Sequence, residues 1–115
     1  MRTSTVLDDS VDSGDTIDVT AGGAEQEAIV VYWCMTNATN KNDLGSPEVR
    51  GIDPLGNVLG DPLTPEVIST KALDGSVATY AARYDSRALT RVQISITNNA
   101  ATARDTKVLV NHYWS

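Results

Sequence analysis

From Arg91 to Thr97 the chain reads RVQISIT, with Val92, Ile94 and Ile96 alternating against Arg91, Gln93, Ser95 and Thr97. Successive side chains of an extended strand point to opposite faces, so a two-residue period predicts a strand with one buried and one wet face. TKVLVNHYW repeats the pattern, setting Val108, Val110, His112 and Trp114 against Lys107, Leu109, Asn111 and Tyr113. The loop NNAATARD joins the two, and they are expected to pair as a long antiparallel hairpin. VATYAARY is a weaker strand, with Ala78, Tyr80, Ala82 and Tyr84 on one side. EAIVVYWCMT differs from all of these because both its faces are apolar, Ile29, Val31, Trp33 and Met35 opposing Val30, Tyr32 and Cys34. A strand covered on both sides is central in its sheet, and in so small a chain its second cover is expected to be another subunit.

The connecting segments SGDT, AGG, DPLGN, LGDPLTP and LDGS carry the Gly, Pro, Asp and Asn of turns. They recur at roughly the 8 to 12-residue spacing of a sandwich or barrel. No stretch keeps a helical apolar period. Arg83, Arg87 and Arg91 repeat every fourth residue, but RYDSRALTR has no apolar stripe beside them and reads as a strand end, a turn and a strand start. The pattern predicts an all-β protein, a single antiparallel β-sandwich of about seven to nine short strands. Its expected core is Val31, Trp33, Val92, Ile94, Ile96, Val108 and Val110.

A chain of 115 residues is one ordinary domain, 1–115. It is 41% hydrophobic yet has no Phe, which makes the core lean. The longest apolar run, AIVVYWCM, falls far short of the ~20 residues of a membrane helix, so no membrane partner is expected. MRTSTVLDD lacks the apolar segment of a secretory signal, which implies synthesis in a cytoplasm and, if the chain leaves, exit by a route such as lysis. The single cysteine, Cys34, rules out an internal disulfide and is expected to be a small buried hydrophobe.

Charge is unevenly placed along the chain. Residues 1–27 hold seven acids against Arg2 and carry the whole net charge of −6, while the remainder is neutral. From Lys71 to Lys107 six bases face three acids. Such complementary ends can orient subunits against one another. The acids concentrate in DDSVDSGDTID, where Asp8, Asp9, Asp12, Asp15 and Asp18 raise the question of calcium. An EF-hand loop counted from Asp8 would place Ser13 where glycine is required and Val19 where the bidentate glutamate belongs, so the motif fails. The segment reads instead as an acidic, solvent-facing strand and turn with Val11, Ile17 and Val19 directed inward.

Other chemistry is sparse. His112 is the sole histidine, and a lone histidine in a strand is usually packed rather than catalytic. No Ser-His-Asp arrangement, phosphate loop or Cys/His cluster is present in the sequence, so no enzyme and no cofactor is expected. An acidic chain with a pI near 4.5 is a poor match for nucleic acid. Asn37-Ala38-Thr39 is a glycosylation sequon that matters only where the chain meets that machinery.

The order TVLDDSVDSGDTIDVT, then AIVVYWC, then ATYAARYDSRALTRVQISITNNAATARDTKVLVNHYW resembles the small β-sandwich or jelly-roll proteins that decorate capsids or build tails in tailed viruses of bacteria and archaea. The acidic excess, the Ala, Asp, Thr and Val content and the three lysines also resemble proteins of high-salt environments, as in a haloarchaeal virus. The resemblance implies a jelly-roll-like sandwich, a homo-oligomer with other virion proteins as partners, and a place in the virion. The expected interface comprises Tyr32, Trp33, His112, Tyr113 and Trp114, with Arg83, Arg87 and Arg91 setting register. A second class of function stays open, a carbohydrate-binding or adhesive module using Tyr32, Trp33, Tyr113 or Trp114 to stack on a cell-surface glycan. The aspartate cluster makes one expectation measurable: EDTA should leave the melting temperature unchanged, and a large loss of stability restored by calcium alone would overturn it.

Overall fold

A computed structural model of the chain describes residues 2–22, 28–66, 69–86, 89 and 91–113. Eight strands form it: β1 (Arg2–Val11), β2 (Thr16–Gly22), β3 (Ala28–Thr36), β4 (Glu48–Ile52), β5 (Ser69–Asp74), β6 (Val77–Asp85), β7 (Arg91–Thr97) and β8 (Arg104–Tyr113). A 3₁₀ turn at Lys41–Asp43, capped by the Asn40 side chain, precedes β4. One sheet has five strands in the order β1-β8-β3-β6-β5 and the other has three in the order β2-β7-β4. Every pairing is antiparallel. The expected all-β sandwich is therefore the observed one.

The pairs are nested, β1 with β8, β2 with β7 and β3 with β6. This is the winding of a jelly roll, as if one long hairpin had been folded over on itself. The regular roll would close with β4 against β5, and here it does not. β5 instead turns back through Gly75 and Ser76 to pair with β6 at the edge of the larger sheet. Gly75 makes that turn possible, since its φ of +62° suits the first central position of a tight hairpin turn and costs glycine nothing. The edge that β4 would have offered to β5 is occupied by its own following loop, with Leu59 N–H donating to the Gly51 carbonyl at 2.9 Å and Leu63 N–H to that of Val49 at 2.7 Å.

The sandwich is filled from both sides by the alternating positions of these strands. Val31, Trp33, Val108 and Val110 of the larger sheet and Val92, Ile94 and Ile96 of the smaller are all fully buried, as the periodicity predicts. Val11 is buried too, and Ile17 and Val19 pack against the core from β2. Lacking Phe, the core takes its bulk from Trp33 and from Tyr80 and Tyr84, whose hydroxyls satisfy each other at 2.8 Å. Burial, reinforced by that hydrogen bond, holds the Tyr84 phenol well above its ordinary pKa.

One expectation is corrected. β7 and β8 do not form a hairpin, because β7 lies in the smaller sheet between β2 and β4 while β8 lies in the larger between β1 and β3. Each strand has one apolar face, and placing them in opposite sheets lets both faces bury against the same interior. The segment between them crosses from sheet to sheet around Asn98, which is fully buried. Its side-chain amide donates to the carbonyls of Val11 (2.8 Å) and Thr102 (3.1 Å) and its carboxamide oxygen accepts from Ala100 N–H at 2.8 Å. Its backbone is joined to the β1–β2 turn through Gly14 and Asp15. Asn98 thus ties the two sheet-crossing corners together with its polar groups satisfied. Gly45 passes so close to this corner that an added Cβ would lie 2.8 Å from the Thr97 carbonyl oxygen.

Replacing Ile94 with Ala should lower stability by about 2 to 5 kcal/mol through lost burial and the cavity left behind, read from urea unfolding.

Candidate functional site

The outward face of the five-stranded sheet is the surface on which the sequence-derived interface residues can be tested. Register defines its rows. Thr5 of β1, Leu109 of β8, Tyr32 of β3 and Ala81 of β6 are consecutive cross-strand partners and make a row without charge. On one side of it lies the row Asp8, Lys107, Cys34 and Thr79, and on the other Thr3, Asn111, Val30 and Arg83. Val30, Tyr32, Cys34, Leu109 and Ala81 are each half-buried, and among the described residues no further strand or helix packs as a layer over this face. The apolar outward face of β3 thus continues sideways onto β8 and β6.

The expected interface residues divide between two environments. Tyr32, Tyr113 and Arg83 are on the outward face and half-buried. Trp33 and His112 alternate with them onto the inner face and are 0% and 1% exposed, so the chain's own core encloses both and leaves neither to a partner. The cause is the strand period, which puts Trp33 on the opposite face from Tyr32. Arg91 is exposed at the start of β7, in the other sheet, while Arg87 and Trp114 lie outside the described residues. Cys34 is half-buried on the outward face rather than enclosed, its sulfur 3.7 Å from the Thr79 hydroxyl. The sequence alone does not single out Leu109 and Ala81. Their only signal is an apolar residue on the otherwise polar side of an alternating strand.

The charges also take positions that their order along the chain conceals. β1 pairs with β8, so Asp8 lies 3.7 Å from Lys107 at the rim of the face. Arg83 is held by Glu66 at 2.8 Å, and Arg50 pairs with Glu48. Acid-rich and base-rich segments are therefore sheet neighbours and partly neutralise each other within one chain. These rim pairs are solvent-exposed and contribute little stability each. The five aspartates from Asp8 to Asp18 are all exposed, and among the described residues no three His, Cys, Asp or Glu side chains gather as a metal site.

His112 sits beneath the β1 edge with its Nε2 2.8 Å from the Ser4 hydroxyl. Burial, and secondarily the nearby Arg2 guanidinium, hold its pKa below the ordinary histidine value. No protein-family model, curated protein or solved structure matches the chain.

The lowered pKa of His112 has a defined sign in stability. The unfolded chain takes up the proton first, so the contribution is complete above the ordinary value of about 6.5 and is lost as the pH falls towards the folded value. His112→Gln should flatten the fall of unfolding free energy between about pH 7 and pH 5, measured by urea titration against wild type. An unchanged slope would remove His112 as its source.

Proposed function

We propose that the chain is a non-enzymatic structural subunit of a virus particle, a capsid decoration, turret, tail or baseplate component, working through repeated contacts with copies of itself. The observation that carries this reading is the uncharged row of exposed Thr5 and half-buried Leu109, Tyr32 and Ala81, bordered by rows whose charges are already paired. An isologous contact sets a patch against itself, and a neutral central row can meet its own copy without repulsion. Apolar side chains there supply affinity, while rim charges supply orientation. The pattern likeness to jelly-roll virion proteins supports the same reading. The adhesive alternative would use a row of aromatics on one face, whereas here Tyr32 and Tyr113 face outward and Trp33, Tyr80 and Tyr84 face inward.

Light scattering across concentration and salt tests it. The wild type should associate and stay associated in molar salt, since screening weakens exposed charge pairs but not apolar contacts. Tyr32→Asp should abolish association and Asp12→Ser should leave it intact. Trp33→Ala is no test of assembly, because its first effect is on the core. A chain that stays monomeric at every concentration and salt level would sink the proposal.

A further inference from the structure

The departure of β5 from the regular roll leaves the sandwich open along one side, between the segment leading into β4 and the paired β5 and β6. A cleft of ≈ 400 Å³ lies there, lined by Ser46, Pro47, Pro65, Thr70, Lys71 and Tyr80. That volume is at the small end of ligand sites, enough for a single ring and its substituents.

Its electrostatics are set by Lys71. Lys71 and Tyr80 are direct cross-strand partners, and both belong to the inner-facing set at the sheet's edge. The Lys71 ammonium reaches across the opening and donates to the Leu44 carbonyl at 2.9 Å. An ammonium has three protons to give, and among the described residues one is used. Arg50 pairs with Glu48, Arg83 with Glu66 and Lys107 with Asp8, whereas among the described residues no carboxylate pairs with Lys71. The cation is half-buried, so water screens it less than it does the rim charges. Around it the lining is mixed: the stiff rings of Pro47 and Pro65, the hydroxyl-bearing Ser46 and Thr70, and the buried Tyr80, whose hydroxyl is anchored on Tyr84.

We propose that this cleft is a binding site for a small ring-bearing organic carboxylate, of which a uronic acid sugar is the type. The carboxylate accepts from the two remaining Lys71 protons, the C–H face of the ring lies against the prolines with the buried Tyr80 forming only the floor, and the Ser46 side chain at the rim offers a hydroxyl to the ring's own. The site lies at the β5 margin, where Thr70 continues the outward row beyond Ala81, while Lys71 and Tyr80 belong to the opposite face, and its test is run on the chain whether or not that row is engaged.

Titration of the isotope-labelled protein with D-glucuronate, followed by amide chemical shifts, tests the site. Glucuronate should bind in the millimolar range with shifts confined to Ser46, Thr70, Lys71, Tyr80 and their neighbours. Glucose, the neutral ring, should bind at least about tenfold more weakly, as should inorganic sulfate, the charge without the ring. Lys71→Met should lose the binding and Lys71→Arg should keep it. Because Lys71 also holds Leu44, Pro65→Asp provides a variant that leaves that hydrogen bond alone, and its added carboxylate should repel glucuronate. Glucose or sulfate binding as well as glucuronate, shifts elsewhere on the chain, or undiminished affinity in Pro65→Asp would each overturn the site.

Discussion

The pairing of β1 with β8 is the constraint from which the rest of the molecule follows. It runs from Arg2 opposite His112 to Val11 opposite Arg104, with one irregularity between Thr5 and Leu7. Once these strands lie together, β2 and β7 continue the same path into the opposite sheet and β3 is drawn in beside β8. The polar consequences come with it. His112 is covered and bonded to Ser4, Asp8 comes to Lys107, and the corner after Val11 comes within reach of the Asn98 amide.

Much of this was legible in the residues and some of it was not, for a physical reason. Alternation reports which face of a strand is buried, so Val92, Ile94, Ile96, Val108 and Val110 could be assigned to the core from their spacing. It is silent about which strand lies alongside. RVQISIT and TKVLVNHY are equally amphipathic whether they share a sheet or face each other across one, and proximity in sequence favours the wrong choice. The doubly apolar β3 was readable as central, with β8 and β6 on its two sides. Which of its aromatics would be left outside was settled by phase alone, Tyr32 out and Trp33 in. Charge gave the least guidance, because the acidic and basic segments are far apart along the chain and adjacent in the sheet. The cleft beside Lys71 has no sequence signal, since it results from where β5 pairs and not from what β5 contains.

Two of the four sheet margins are guarded against pairing with another chain. A long edge strand invites pairing with another chain unless it is irregular, charged or covered. β1 is broken by its register shift and carries Asp8 and Asp9, and the edge of β4 is bonded to residues 59–63. Both devices suppress strand addition at those two margins.

The nested winding also governs how such a chain must come together in time. β3 has β8 on one side and β6 on the other, so the middle of the larger sheet is complete only when the last strand has found its place. Little of the structure is local apart from the tight β5–β6 hairpin, and closing loops as long as the one between β1 and β8 must precede the contacts that reward it. Domains of this kind fold in about milliseconds to seconds rather than microseconds. The same interdependence works in reverse, because peeling away β8 strips a neighbour from both β1 and β3 at once. Opening at β8 therefore costs two strand pairings together rather than one.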